Sequence, residues 1–128
     1  MTNNRFQNKN KILVVDDEKA IHRLFSRMLK DKEFKIQYVD NGQRAIEIVQ
    51  NQDFDIIFLD IVMPEMNGTE VLKAIKTIKS HIPIIIMMTG YAVGDLVKES
   101  LDLGAVDCIY KPFDVTKILE IIKKYLVK

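Results

Sequence analysis

Five short apolar runs, separated by amphipathic stretches, limit what this chain can fold into. Ile12-Leu13-Val14-Val15 and Ile56-Ile57-Phe58-Leu59 are apolar at every position, as in strands buried on both faces. Ile84 to Met88 reads the same way, and Val106 to Tyr110 is a short, mainly apolar run. Phe34 to Val39 alternates apolar with polar residues, which suits a strand nearer a sheet edge. Between these runs, Ile21, Leu24, Phe25, Met28 and Leu29 recur at helical spacing, as do Ala45, Ile46 and Val49, then Val71, Leu72, Ile75 and Ile78. A further helix from about Val93 to Leu103 stops at Gly104. Asp114 is placed to cap a last one with Val115, Ile118, Leu119, Ile122 and Leu126 inward. Alternation of this kind predicts parallel βαβ units: an α/β fold with a doubly wound five-stranded parallel sheet and five helices on its two faces. Residues 11–128 make one domain on this reading, behind a polar N-terminal tail of residues 1–10.

Composition removes several classes of function. Hydrophobic residues make up 48% of the 128, too many for a disordered chain. Nineteen Lys and Arg against eighteen Asp and Glu leave a net charge of +1, without the basic excess on which phosphate-backbone binding draws, so no direct nucleic-acid contact is expected. No apolar run approaches bilayer length, and the N-terminus lacks the apolar core of a signal peptide. The single cysteine, Cys108, cannot close an intramolecular disulfide. A cytoplasmic domain away from the membrane is the expectation.

In a doubly wound sheet, ligands sit in the crevice beyond the carboxyl ends of the strands. The first strand ends on Asp16-Asp17, the third on Asp60, the fourth on Thr89 and the fifth on Lys111, so these residues should converge. Three carboxylates in one crevice repel unless a cation sits among them, and a hard divalent ion such as Mg²⁺ suits an all-oxygen set. A metal, a lysine and a hydroxyl around one carboxylate match what phosphoryl transfer needs, which is positioning and charge neutralisation. No Walker A stretch or Gly-rich fingerprint follows the first strand, and no Ser or Cys stands beside a His at a strand end. The nucleophile is then a carboxylate, giving an acyl phosphate on Asp.

Val14-Val15-Asp16-Asp17-Glu18, Leu59-Asp60-Ile61-Val62-Met63-Pro64-Glu65-Met66-Asn67-Gly68, Met88-Thr89-Gly90 and Lys111-Pro112-Phe113, in this order, strongly resemble the receiver domain of two-component response regulators. The resemblance implies the flavodoxin-like strand order 2-1-3-4-5, for which a receiver protein is a standard example. It implies Asp60 as phosphoacceptor, taking its phosphoryl group from a sensor histidine kinase or histidine phosphotransfer protein. Asp17 resembles a direct Mg²⁺ ligand, with Asp60 beside it, Asp16 acting through water and Val62 lending its backbone carbonyl. Lys111 resembles the lysine that pairs with Asp60 and then with the phosphoryl oxygens, preceding a cis bond to Pro112. Thr89 resembles the switch hydroxyl. The chain would catalyse only its own phosphorylation and dephosphorylation, and act on an output partner or fused effector domain through about residues 93–127.

One position departs from the family pattern. Receivers usually carry Tyr or Phe three residues before the strand-five lysine, and here that residue is Cys108. Tyr110 lies on the same strand face, roughly 7 Å further along, so the aromatic half of the switch is either weakened or taken over by Tyr110. Two other classes fit less well. A haloacid-dehalogenase-like phosphatase wants a second acid where Val62 stands, and a flavin-binding module wants a phosphate-cradling loop where Asp16-Asp17-Glu18 would repel it. His22 and His81 show no ligand spacing and read as helix-surface and loop residues.

Overall fold

The structure, a computed structural model, describes residues 11–30 and 32–126; the polar tail and Val127 lie outside the described residues. In chain order the elements are β1 (Lys11–Val15), α1 (Lys19–Met28), β2 (Lys35–Val39), α2 (Gly42–Asn51), β3 (Ile56–Asp60), α3 (Gly68–Ile78), β4 (Ile84–Thr89), α4 (Gly94–Asp102), β5 (Asp107–Tyr110) and α5 (Val115–Leu126). The strands pair in parallel in the order β2-β1-β3-β4-β5, the expected flavodoxin-like arrangement. β1, β3 and β4 are central, which is why their sequences are apolar at consecutive positions, while β2 and β5 form the edges.

The period of two divides each central strand between two cores. Leu13, Val15, Ile57, Leu59, Ile85 and Met87 face α2 and α3, packing on Ala45, Val49, Val71, Leu72 and Ile75. Ile12, Val14, Ile56, Phe58, Ile86 and Met88 face α1 and α5, packing on Phe25, Leu29, Ile118, Ile121 and Ile122. Phe25 and Phe58 meet edge-on in this second layer, with ring centroids 4.9 Å apart. No helix among the described residues is long and apolar enough to cross a membrane.

Element boundaries follow local chemistry. Asn41 caps α2 by accepting from the Arg44 N–H, and Asn67 and Glu70 cap α3 reciprocally as a capping box. Gly104 holds φ +120°, where a side chain is strained, and ends α4 as anticipated. The first helix starts differently. Its N-cap is Glu18, whose side chain makes no capping bond; Asp16 Oδ1 instead accepts the Glu18 N–H at 2.8 Å.

α4 is attached unusually. Its one fully buried residue is Ser100, and the Ser100 hydroxyl meets that of buried Thr69, in the first turn of α3, at 3.0 Å. Lys73 and Glu99 add an exposed ion pair of 2.9 Å across the same helix pair. Ser100→Ala strands the Thr69 hydroxyl without its partner and should cost about 1–3 kcal/mol. Thr69→Val should cost a similar amount, and the double variant should fall short of the sum by about 0.5 kcal/mol or more. Urea denaturation of the four proteins measures the coupling.

Candidate functional site

The carboxyl edge of the sheet gathers the acidic residues. β1 runs out into Asp16, Asp17 and Glu18, and Asp60 is the last residue of β3, the strand beside it. One carboxylate oxygen from each of Asp16, Asp17 and Asp60 falls within 4.8 Å of the others. Asp16 and Asp60 are buried, and Asp17 is exposed. Lys111, the residue after β5, reaches in: its Nζ lies 2.7 Å from Glu18 Oε1, 2.8 Å from Asp16 Oδ2 and 3.4 Å from Asp60 Oδ2. The Lys111–Pro112 bond that follows is cis. Above this group opens a cleft of about 810 Å³, with Asp17, Asp60, Val62, Gly90, Tyr91 and Lys111 among its walls.

The backbone explains why Asp60 stands where it does. Ile61 donates to the Met88 carbonyl and Gly68 to the Ile61 carbonyl, both at 2.8 Å, so the chain leaves β3 and returns at once to start α3. Gly68 is pressed so closely on Asp60 that a Cβ there would sit 2.2 Å from the Asp60 carbonyl oxygen, and no other residue fits. The return path includes a tight turn in which the Met66 N–H donates to the Pro64 carbonyl at 2.7 Å and Glu65 takes φ +70°. This γ-turn holds a non-glycine residue in a left-handed conformation.

Burial and crowding set the charges. Removal from water, reinforced by the neighbouring Asp16, pushes Asp60 up to about 7, against the pull of Lys111 and of a hydrogen bond from the Val62 backbone. Burial also raises Asp16, although Lys111 and the Glu18 N–H oppose it. For Lys111, burial acts downward, but the bonds to Asp16 and Glu18 and the charge of Asp60 prevail and hold the ammonium above its ordinary range. Asp16 Oδ2 is ion-paired with Lys111 Nζ at 2.8 Å. Among the described residues it is the buried side-chain oxygen left without a hydrogen bond. An unbonded buried oxygen and three crowded carboxylates fit a hard divalent cation, and the all-oxygen set fits Mg²⁺.

Four of the sequence-predicted residues meet as anticipated: Asp16, Asp17, Asp60 and Lys111. Lys111, however, is shared: its two shortest contacts are Glu18 and Asp16, not Asp60. Thr89 is buried at the end of β4, with its hydroxyl turned to the Tyr91 backbone, accepting the N–H at 3.1 Å and donating to the carbonyl at 3.4 Å. Val62 lies on the cleft wall. Cys108 is partly buried against the α2–α3 core in register with Met87; Tyr110 pairs in register with Thr89 and is 59% exposed. Burial raises the Cys108 thiol, which leaves it a weak nucleophile. Sequence reasoning missed Glu18, although it directly follows the acidic pair, because it is not itself a strand end. It also placed His22 on the helix surface. That residue is half-buried, with Nε2 2.7 Å from the Asp16 carbonyl, and its spacing from Asp16 carried no signal.

Comparison with known proteins agrees with this geometry. The sequence model of the family described as "Response regulator receiver domain" matches residues 12–123. Sporulation initiation phosphotransferase F of Bacillus subtilis (strain 168) is 39% identical over 116 residues, which cover 91% of this chain and 93% of that protein. Regulatory protein AtoC of Escherichia coli (strain K12) is 34% identical over 91% of this chain but only 25% of its own length, so this chain spans about a quarter of that longer relative. A CheY-like response regulator receiver domain protein from Methanospirillum hungatei JF-1 shares the fold at a TM-score of 0.85, with 31% identity over 91% of this chain and 93% of that one.

The elevated Asp60 makes a pH prediction. Between the ordinary 3.8 and about 7, the folded chain keeps a proton that the unfolded chain has released. Stability from this group is therefore full below about pH 4 and falls as the pH rises to about 7. Without metal, Asp60→Asn should be more stable than the parent at about pH 8 by about 1–3 kcal/mol, and the gap should close as the pH is lowered toward about 4. Urea denaturation in EDTA across that range checks the direction.

Proposed function

The chain belongs to the response regulator receiver family, and from that premise we propose that Asp60 is its phosphoacceptor. The donor is a histidine kinase or histidine phosphotransfer protein, and the step depends on Mg²⁺. The observation that carries this assignment is a buried carboxylate that opens onto a cleft, beside two other carboxylates and 3.4 Å from an ammonium. An oxygen of ionised Asp60 attacks phosphorus in line, the phosphorus–nitrogen bond to the donor imidazole breaks, and its electron pair stays on that nitrogen. The product is an acyl phosphate on Asp60. Lys111 favours the ionised form of Asp60 and then meets the phosphoryl oxygens, leaving part of its hold on Glu18 and Asp16. Asp17 and Asp60 would hold the cation with the Val62 carbonyl, and Asp16 would help through water; when bound, it neutralises the developing phosphoryl charge. Hydrolysis of the acyl phosphate resets the chain, so it catalyses its own phosphorylation and dephosphorylation and has no independent substrate.

Phosphorylation places about two negative charges at Asp60, which biases a two-state equilibrium of the surrounding loops. The Thr89 hydroxyl leaves the Tyr91 backbone for the phosphoryl group on this reading. Tyr110, the register partner of Thr89 on β5, then serves as the switch aromatic in place of Cys108. Output passes to a separate partner or a fused effector through α4, β5 and α5, about residues 93–127, in a cytoplasmic setting.

Incubation with acetyl phosphate and Mg²⁺ should add about 80 Da to the intact mass, the mass of one phosphoryl group. Asp60→Asn should show no such adduct. No adduct on the parent, or an equal one on the variant, overturns the assignment. Tyr110→Ala should reduce the gain in partner affinity on phosphorylation, whereas Cys108→Tyr should raise it. Unchanged binding of the phosphorylated form by both variants removes Tyr110 and Cys108 from the switch.

A further inference from the structure

The acidic loop after β1 is held at its main chain, and His22 supplies one of the holds. The Asp16 N–H donates to the Val39 carbonyl of β2 at 3.1 Å, and the Asp16 carbonyl meets His22 Nε2 at 2.7 Å. A carbonyl oxygen only accepts, so Nε2 carries the hydrogen, and the ring is fixed in that role. Tyr38 braces the imidazole from the other side, with ring centroids 5.1 Å apart and planes tilted by 31°. Tyr38 directly precedes Val39, so two consecutive residues of β2 clamp Asp16, one through its own carbonyl and one through His22. Asp17 is exposed, and the main chain that carries it sets its aim.

We propose that His22 is a positioning residue for the cation site: by holding the Asp16 carbonyl it keeps the Asp16 and Asp17 carboxylates turned toward Asp60. The inference rests on the divalent-cation reading above. It concerns a residue of α1 that touches neither cation nor phosphoryl group and acts only through the loop. Partners that orient a metal's ligands are worth about tenfold or more in affinity.

The donor and the ring can be separated by substitution. His22→Phe keeps an aromatic ring on Tyr38 and removes the hydrogen bond; His22→Gln removes the ring and keeps an N–H that can reach the carbonyl. Titration calorimetry of the full chain with MgCl₂ alone should show His22→Phe binding about tenfold more weakly than the parent, with His22→Gln within about twofold. Thermal melts in EDTA should leave the Phe variant close to the parent, which separates aim from folding. His22→Leu, also without a donor, substitutes if the Phe variant does not fold. Equal affinity of the parent and the donor-less variant overturns the inference, as does an equal loss in the Gln variant. A parent that binds no Mg²⁺ overturns the cation reading and this inference with it.

Discussion

Three carboxylates crowded at one sheet edge, with a single ammonium among them, is the arrangement on which the other features of this molecule bear. Asp16 and Asp60 are buried on the ends of adjacent strands; burial raises the cost of ionising both, and Asp16 adds to that of Asp60. Left alone, such a pair would hold protons or spread apart. The fold prevents spreading by fixing the backbone on both sides: Asp16 through Val39 and His22, Asp60 through Ile61 and the close fit of Gly68. Repulsion that cannot be relieved by motion must be relieved by charge. Lys111 meets part of that need, and an added cation would meet the remainder.

The architecture lay open in the sequence because it depended on patterns that survive without side-chain detail. Apolar runs such as Ile56–Leu59 specify strands buried on both faces, and parallel pairing then puts their carboxyl ends together. Asp16, Asp60, Thr89 and Lys111 could be grouped from that rule alone. What the rule does not contain is the direction of a side chain. It treated Asp16 and Asp17 as a pair, yet one is buried and braced while the other faces the cleft. The family resemblance paired Lys111 with Asp60, which lies 3.4 Å from the ammonium, but did not include Glu18, 93 residues away in sequence. The Thr69–Ser100 bond joins hydroxyls 31 residues apart, and nothing in either local pattern marks it.

The loop between β3 and α3 shows how tightly the acidic edge is tied to the frame. Glu65 occupies a backbone conformation that side chains rarely adopt, and Gly68 approaches the Asp60 carbonyl closer than any side chain permits. Both oddities fall within eight residues of Asp60, and both shorten the path by which the chain turns from strand to helix. A relaxed loop would free the end of β3. The strain is the counterpart of a fixed carboxylate, in keeping with the tendency of unfavourable backbone geometry to gather where position matters most.

α4 stands apart from the other helices in what secures it. α2 and α3 sink Ala45, Val49, Val71, Leu72 and Ile75 into the core, whereas the one fully buried residue of α4 is a serine and its apolar Leu96 and Val97 are only partly covered. Apolar burial resists displacement in proportion to area, but a hydroxyl pair breaks over a fraction of an ångström and can re-form with water. Local opening in proteins begins where such burial is least. Amide hydrogens of α4 are therefore expected to exchange faster than those of the central strands, an island of lower protection beside the sheet.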